Sequence, residues 1–477
     1  MKAFLTIKQL KEKLSKKEVT PQDINNFYSD RIKKYDPILK STLEIFENTE
    51  NKKYQGKLTG IPGLIKDNIS QKGRKLSCGS KILNNYTSPY NATTISRLKK
   101  EGAVLLGRTN MDEFAMGGTG EYSAYQITKN PWNVKRVPGG SSSGSAAAVA
   151  AGLVPFALGS ETGGSVRQPA AFCGLVGLYP TYGTNSRFGL VAFTSSTDQI
   201  GPLTKSVYDN ALISSILSGH DFKDSTSLFR NKQDFTKNLN GKLPQNLTLG
   251  IIKDSLESDG VDNEIKEKFQ ESVEHLEKLG ANIKYIALPD LKYGISVYFI
   301  ISRAEAASNL ARFDGSLYGM RDKEAKTLQE MYVKTRHDGF GIEVKRRILM
   351  GNYVLSSKHK DAFYNKANHI RAMIRSEFEQ AFKEVDLLLS PTTPMLPFEI
   401  GKTSQDPLAM YMADYFTVPN CITGNPALSI PCGFSKDNLP IGFQFIGPRL
   451  SEELLYQVAY AYEQNTDYHL KNPKGFD

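Results

Sequence analysis

Histidine, cysteine and tryptophan are scarce in this chain, and their scarcity argues against several kinds of site. The 477 residues include six histidines, four cysteines and one tryptophan. The cysteines are scattered without a Cys-x-x-Cys pair, which argues against a disulfide framework or zinc knuckle and predicts buried free thiols in a reducing compartment. No histidine lies in a segment with other marks of an active site, which argues against a Ser-His-Asp hydrolase.

Long hydrophobic runs are also missing from the sequence. No run approaches the ~20 apolar residues that span a bilayer, and the N-terminal segment lacks the apolar core of a signal peptide. We therefore expect a cytoplasmic protein without membrane contact, with an organelle matrix as the alternative location.

The chain carries only a small excess of positive charge. Lysine and arginine total 60 against 50 aspartates and glutamates, which gives a net charge of +10 spread along the sequence. A solvated, lysine-rich surface is the favoured explanation, and weak attraction to a polyanion such as RNA is the alternative. No arginine-rich arm or aromatic RNA-binding signature is present, so the sequence predicts no direct readout of nucleic acid.

The chain does contain one segment, residues 139–169, that is unusually rich in glycine, serine and alanine. It includes Gly-Gly-Ser twice, and the two serines, Ser141 and Ser165, lie 24 positions apart. Glycine weakens regular structure and allows close backbone approach, so such a segment indicates a functional site. We interpret it as an amide-cleaving active site.

The residues in and around this segment argue against three other interpretations of it. Residues 140–144 loosely match the G-x-S-x-G elbow, with Ser142 at the centre, but residues 133–138 make a poor strand before it. The P-loop pattern requires Gly-Lys-Ser/Thr, and no lysine follows Gly144. No G-x-G-x-x-G follows a strand here, which argues against a dinucleotide site.

A serine nucleophile without histidine still requires a base, and Lys66 is the candidate. It follows the apolar run 61–65, where desolvation can lower the pKa of a lysine by several units from ~10.4. A salt bridge at a strand end explains the same lysine equally well. Residues 161–165 can form a glycine turn whose N–H groups converge on one oxygen as an oxyanion hole, with a plain turn as the alternative.

Hydrophobic patterning predicts alternating strands and helices, hence a mixed α/β sheet. Residues 247–252 and 283–288 are expected to be strands, and an apolar stripe over 265–279 predicts a helix between them. The other expected elements are a helix over 5–14, a helix from Pro21 capped by Thr20, strands at 60–67 and 103–107, a helix ending at Gly102, a small-residue helix at 144–152, a helical middle over 298–382, strands at 385–389 and 441–446, and a final helix capped by Ser451.

Three stretches resemble the amidase signature family: residues 65–68, 139–152 and 159–169. Other stretches are similar to one branch of that family, the A subunits of glutamyl/aspartyl-tRNA amidotransferases, namely 109–117, 306–315, 345–348 and 429–433. The resemblance covers nearly the whole chain. It implies an α/β amidase-signature fold with a large mixed central sheet flanked by helices on both faces.

The resemblance also implies a single domain over residues 1–477. Its expected segments are N-terminal helices at 1–55, a catalytic core at 56–221, and the remainder of the core with the substrate pocket at 247–477. Between the last two, residues 222–246 are polar and show no clear period, which predicts a surface excursion.

The resemblance further implies a Ser–cis-Ser–Lys triad and no metal. Ser165 would be the nucleophile, Ser141 the bridging serine held by a cis peptide, and Lys66 the base. The oxyanion hole would be formed by the N–H groups of Thr162, Gly163, Gly164 and Ser165. A glutamine substrate would meet Arg347 at its α-carboxylate and Asp414 at its α-ammonium, with Tyr298 lining the pocket.

The implied activity is hydrolysis of glutamine to supply ammonia to a partner B subunit. That partner would convert Glu-tRNA(Gln), Asp-tRNA(Asn) or both with ATP and Mg²⁺, would carry most contacts to the charged tRNA, and would be clasped by a small C subunit. No cofactor is expected in this chain. The alternatives are a stand-alone amidase for another small amide and a non-catalytic scaffold.

Two departures from the family pattern stand out. Ser143 occupies a position that is glycine in many members, which would matter only if the backbone there needed a positive φ. Thr184 and Asn185 replace the usual arginine and apolar residue, and predict a change in a partner-facing loop.

Overall fold

The computed structural model describes residues 1–47, 55–402 and 407–477. Eleven strands form one sheet. In chain order they are β1 Thr42–Ile45, β2 Pro62–Lys66, β3 Val104–Thr109, β4 Phe156–Glu161, β5 Val176–Tyr179, β6 Gln199–Thr204, β7 Thr248–Ile252, β8 Asn282–Ile286, β9 Leu387–Pro391, β10 Ala427–Phe434 and β11 Pro440–Ile446.

Helices connect and cover these strands. In chain order they are α1 Ile7–Ser15, α2 Pro21–Leu39, α3 Thr93–Lys100, α4 Ser143–Ala150, α5 Arg167–Cys173, α6 Val207–Leu217, α7 Asp254–Glu257, α8 Asn263–Lys278, α9 Gly294–Asn309, α10 Leu328–Gly339, α11 Ile342–Leu355, α12 Lys366–Ala381, α13 Pro407–Met412, α14 Val418–Thr423 and α15 Glu452–Gln464. Residues 222–246 contain no helix or strand.

The sheet is mixed, and its strand order is β1-β3-β2-β4-β6-β5-β10-β11-β9-β7-β8. β2 pairs in parallel with β3 and β4, and β7 pairs in parallel with β8 and β9. The remaining neighbours are antiparallel. The predicted βαβ unit is therefore confirmed as β7, α8 and β8, although its second strand ends at Ile286 rather than at residue 288.

Helices cover both faces of the sheet, because successive side chains of a strand point to opposite sides. In β9, Leu387 and Leu389 pack in the cluster that contains α8 and α15. Leu388, between them, packs instead with α9 and α12. Around β2 and β4, a further cluster brings together α1, α2, α3, α4 and α6. The predicted fold class is thus confirmed.

The sequence predicted side-chain caps at the starts of two helices, α2 and α15, and the structure shows one of them. Thr20 caps α2 by accepting a hydrogen bond from the Asp23 N–H, and Pro21 is the first helical residue, as predicted. Ser451 precedes α15 but does not cap it, because its hydroxyl donates to the Pro448 carbonyl oxygen at 2.7 Å. The prediction of a Ser451 cap is therefore wrong.

The two residues of the departure at 184–185 are buried within the fold. Thr184 is 5 % exposed and Asn185 1 % exposed. The Asn185 side-chain amide donates to the Ile200 carbonyl oxygen at 2.8 Å, within the fold. The Thr184 hydroxyl donates to Glu452 Oε1 at 3.3 Å, and a change in a partner-facing loop stays a prediction. All four cysteines are buried and free, as predicted.

Candidate active site

Lys66 is the last residue of β2, a strand flanked on both sides by parallel neighbours at the centre of the N-terminal half of the sheet. Its side chain is 0 % exposed. Three oxygens surround Lys66 Nζ: Ser141 Oγ at 2.7 Å, Ser142 Oγ at 2.9 Å and the Ser160 carbonyl oxygen at 3.0 Å. No carboxylate of the described residues pairs with this amine, so the salt-bridge alternative is wrong.

Burial lowers the pKa of Lys66 to about 7, and the charges of Asp112, Asp198 and Glu161 oppose that shift. Desolvation penalises the ammonium form, while nearby carboxylates favour it. A pKa near 7 leaves a large share of the amine neutral at physiological pH, as a general base requires.

Ser141 reaches Lys66 from a tightly packed loop that leads into α4. The Gly140–Ser141 peptide is cis. A Cβ on Gly140 would overlap the carboxylate of Asp112, so only glycine fits there. The Asp112 N–H donates to the Ser141 carbonyl oxygen at 3.3 Å, and the Asp112 carboxylate accepts from the Gly120 and Tyr122 N–H groups at 3.0 Å each. Asp112 thus joins the serine loop to residues 120–122.

The departure at Ser143 is accommodated without backbone strain. Ser143 is the first residue of α4 and does not have a positive φ. Its buried hydroxyl has no hydrogen-bond partner among the described residues. The backbone at residue 143 therefore does not require glycine.

Ser165 lies in the turn between β4 and α5 and is 6 % exposed. Its carbonyl oxygen accepts a hydrogen bond from the Ser142 N–H at 3.2 Å, which ties the two Gly-Gly-Ser turns together. Within the described ranges, no hydrogen bond links the Ser165 hydroxyl to that of Ser141. The structure therefore brings Lys66 and Ser141 into contact and places Ser165 in the adjoining turn.

The turn at residues 162–165 offers free donors. Its four N–H groups donate to no carbonyl of the described backbone. The next two N–H groups, of Val166 and Arg167, both donate to Glu161 Oε2 at 3.0 Å. Thr162 is anchored from its side chain, which donates to Asp198 Oδ1 at 2.6 Å. Such a fixed row of free N–H groups can stabilise a developing oxyanion.

A buried ion pair supports this turn. Arg167 Nε donates to Glu161 Oε1 at 2.8 Å, and both side chains are almost fully buried. The same guanidinium donates to Asn420 Oδ1 at 2.8 Å and to the Thr417 carbonyl oxygen at 2.7 Å. Arg167 therefore connects the serine turn to α14, in the C-terminal part of the chain.

Tyr298 and Asp414 lie directly against the two glycines of the turn. A Cβ on Gly163 would be 2.7 Å from Tyr298 Cζ, and a Cβ on Gly164 would overlap Asp414 Oδ1. Burial raises the pKa of Asp414 well above its usual value, with the nearby charge of Glu161 acting in the same direction. Asp414 Oδ1 has no hydrogen-bond partner among the described residues, so it is available to a ligand.

Arg347 is 3 % exposed and projects from α11. Its Nε donates to Glu343 Oε1 at 2.7 Å, one helical turn earlier. The Tyr411 hydroxyl donates to the same oxygen at 2.8 Å. The charges of Arg347 and Asp414 both act on the pKa of the Tyr298 hydroxyl, which indicates that the three predicted substrate residues are near one another.

Sequence reasoning missed several members of this site: the Ser160 carbonyl, Asp112, Glu343 and Tyr411, and the contact of Ser142 with Lys66. Glu343 had a visible signal, because it lies four residues before Arg347 on one helix. Asp112 lay inside the segment 109–117 that carried the resemblance, but its contact with the serine loop has no sequence signature.

Metal-binding clusters and membrane-spanning helices are not found among the described residues. Residues 1–47, 55–402 and 407–477 contain no group of three or more His, Cys, Asp or Glu side chains that could hold a metal ion. In the part of the chain that the structure describes, no helix combines the length and apolar character needed to cross a membrane.

This fold, with its buried Lys–Ser contact beside a glycine turn, is that of an amidase-family enzyme. The family model described as Amidase matches residues 24–456, and the chain belongs to that family. The resemblance drawn from the motifs is therefore confirmed.

Its relatives include one particular component of an amidotransferase. The A subunit of the Glutamyl-tRNA(Gln) amidotransferase of Halothermothrix orenii is 50 % identical over 474 residues, covering 98 % of this chain and 99 % of the relative. That of Gloeothece citriformis is 50 % identical over 480 residues, with 98 % and 99 % covered.

Solved structures of similar fold include an amidotransferase subunit and a peptide amidase. The crystal structure of the A subunit of Glutamyl-tRNA(Gln) amidotransferase from Thermotoga maritima matches with a TM-score of 0.84 and 42 % identity, covering 97 % of this chain and 95 % of that one. The peptide amidase from Stenotrophomonas maltophilia matches with a TM-score of 0.81 and 27 % identity, covering 99 % and 98 %.

Proposed function

We propose that this chain is the glutaminase subunit of a tRNA-dependent amidotransferase. The observation that carries the proposal is a group of neighbouring features: a buried Lys66–Ser141 contact, a turn of free N–H groups, and a buried arginine and a partly buried aspartate near that turn. A free amino acid carries one charge of each sign, and this pair of side chains complements both. The relatives named as amidotransferase subunits support the same function.

The chemistry begins at the neutral amine of Lys66. Lys66 takes the hydroxyl proton of Ser141, and Ser141 takes that of Ser165 as Ser165 Oγ attacks the side-chain amide carbon of glutamine. The N–H groups of residues 162–165 stabilise the negative oxygen. The C–N bond then breaks, and the relay returns a proton so that nitrogen leaves as ammonia. Water hydrolyses the resulting ester, releasing glutamate and restoring Ser165.

Substrate is held by its α-groups. The Arg347 guanidinium binds the carboxylate, the Asp414 carboxylate binds the ammonium, and Tyr298 lines the pocket beside Gly163. An arriving ammonium favours the ionised form of Asp414, whose pKa is raised by desolvation. Binding of glutamine thus supplies a counter-charge for this aspartate.

Transfer of the ammonia requires partners. The B subunit receives the ammonia, uses ATP and Mg²⁺ to activate Glu-tRNA(Gln), Asp-tRNA(Asn) or both, and makes most contacts to the charged tRNA. A small C subunit clasps the pair, and the assembly works in the cytoplasm. This assignment rests on the names of the relatives and on the lack of a nucleotide-binding motif in this sequence.

The triad is tested by ammonia release from L-glutamine. Lys66→Ala is expected to lower turnover about 10²–10⁴-fold, since it removes the base. Ser165→Ala should abolish both turnover and labelling by a serine-acylating probe, and Ser141→Ala should also lose orders of magnitude. Ser143→Ala is the matched control and should stay near wild type, because its hydroxyl has no partner. Wild-type turnover in Lys66→Ala or Ser165→Ala would end the proposal.

A stand-alone amidase is the competing function, and the fold similarity to a peptide amidase favours considering it. Asp414→Ala separates the two, because a glutamine enzyme should lose activity on glutamine while retaining activity on a simple uncharged amide. Equal losses on both would favour the stand-alone amidase. Co-purification of B and C subunits, followed by a tRNA amidation assay, tests the partners directly.

A further inference from the structure

Arg303 on α9 is a buried guanidinium without a matching carboxylate. It is 1 % exposed, and its guanidinium carbon lies 3.4 Å from the ring centroid of Phe299 and 5.2 Å from that of Tyr411. Nη1 donates to Ser302 Oγ at 2.9 Å. Nε has no acceptor among the described residues. Buried arginines are normally paired, because an unpaired buried charge is costly.

The neighbouring charges leave Arg303 uncompensated. A second cation, Arg347, lies near the same tyrosine ring, with its guanidinium carbon 5.8 Å from the Tyr411 centroid. Among the described residues, the carboxylate that bonds to the Tyr411 hydroxyl is that of Glu343. It already accepts hydrogen bonds from Arg347, Arg346 and that hydroxyl. Burial, aided by the charge of Arg347, lowers the pKa of Arg303 to about 9, so the side chain still carries its proton at neutral pH.

Arg303 is a neighbour of the proposed substrate residues. Its guanidinium carbon and that of Arg347 lie 5.2 and 5.8 Å from the centroid of the same Tyr411 ring. Arg303 stacks on Phe299, and the preceding residue, Tyr298, packs against Gly163 of the serine turn. Two guanidinium groups therefore flank one tyrosine ring near the place where one α-carboxylate is expected. A carboxylate has about four acceptor positions, enough for donors from two arginines.

We propose that Arg303 is a second substrate-binding arginine, which together with Arg347 makes a free carboxylate a requirement for the amide substrate. The inference rests on the proposed glutaminase function. It narrows the substrate class of that function to amides that carry a free α-carboxylate. Peptide amides and simple amides, which lack the carboxylate, would leave the Arg303 guanidinium buried and unpaired.

The test compares two substrates that differ only at the carboxylate. L-Glutamine is assayed beside its α-N-methylamide, from which ammonia can come only from the side chain. The full-length enzyme is used with any subunits that co-purify. Arg303→Gln is expected to raise KM for L-glutamine about 10–100-fold, the loss typical of a charge-assisted hydrogen bond. KM for the methylamide should remain near its wild-type value.

A matched control comes from α10. Arg336 is also stacked on a ring, 5.0 Å from the Phe340 centroid, but it donates to the carbonyl oxygens of Leu310 and Phe313 at 2.8 and 3.0 Å. Arg336→Gln should leave the preference for L-glutamine unchanged. Arg303→Lys retains the charge without the planar fork, and should raise KM for L-glutamine less than Arg303→Gln does.

The outcomes separate the inference from the proposed function. Unchanged discrimination in Arg303→Gln, or equal losses on both substrates, would overturn the role of Arg303 and leave the glutaminase intact. If Arg303→Gln fails to fold, Arg303→Lys decides the question, and a wild-type KM for L-glutamine in that variant overturns the inference. A wild-type enzyme that releases no ammonia from L-glutamine would overturn both.

Discussion

The ring of Tyr298 lies so close to Gly163 that a Cβ on the glycine would be 2.7 Å from Cζ of the tyrosine. The pocket residue and the oxyanion turn are therefore packed as one unit. The proposed substrate-binding residue and the proposed oxyanion donor are in direct contact, so a change at either residue is expected to disturb the other.

Gly163→Ala should accordingly lower kcat about 10²–10³-fold, the loss typical of one misplaced oxyanion donor. The added methyl group forces the Tyr298 ring or the turn to move, and overpacking of this kind also costs about 1–3 kcal/mol of stability. Steady-state kinetics on L-glutamine and thermal unfolding measure the two effects. Gly260→Ala, whose Cβ would find its nearest neighbour at 3.6 Å, should change neither.

The pH dependence of glutamine hydrolysis should show an acidic limb near pH 7. Burial lowers the pKa of Lys66 to about 7, so the neutral amine that accepts the proton is in the minority below that pH and in the majority above it. We expect kcat/KM to rise tenfold per pH unit below about 7 and to level off above it. A flat profile from acid to neutral pH would contradict the role of Lys66.

Asp112→Asn should move that limb to lower pH. The Asp112 carboxylate is the largest influence that opposes the desolvation of Lys66, so its removal lets burial lower the Lys66 pKa further. The same measurement on Asp30→Asn, an exposed site, supplies the control. Disappearance of the limb would instead assign it to Asp112, whose own pKa burial raises to about 6.

Arg167→Ala should destabilise the fold by about 3–5 kcal/mol, because Glu161 would then be a buried, uncompensated charge. Denaturant unfolding measures this loss. Lys334→Ala, which breaks an exposed pair with Glu330, should have a far smaller effect, because solvent screens that pair. A small effect of Arg167→Ala would show that water or other groups replace the guanidinium.

Elements with a plain hydrophobic period were predictable from sequence. β2, α8 and β11 have continuous or regularly spaced apolar residues, and each appears close to its predicted position. β6 was not predicted because Gly201 and Pro202 stand inside it, and proline normally argues against a central strand. β10 was missed for the same reason, since Pro431 and Gly433 occupy a bulge.

The site residues also divide into those with and those without a signal in the sequence. Lys66, Ser141 and Ser165 could be selected from the glycine-serine bias and a lysine after an apolar run. Arg347, Asp414 and Tyr298 came only from the family resemblance, since a single charged residue or ring has no distinguishing pattern in the sequence. Arg303 had neither signal, because its lack of a partner is a property of packing in three dimensions.

The strand order also bears on how the chain is made. β10 and β11 form a hairpin inserted between β5 and β9, although almost all of the sequence precedes them. Until this hairpin leaves the ribosome, two strand edges deep in the eventual sheet remain without neighbours, and unpaired edges attract other chains. The serine and lysine segments are synthesised early, yet the sheet to which they belong is completed only near the end of translation, so we expect the nascent chain to need protection from aggregation until then.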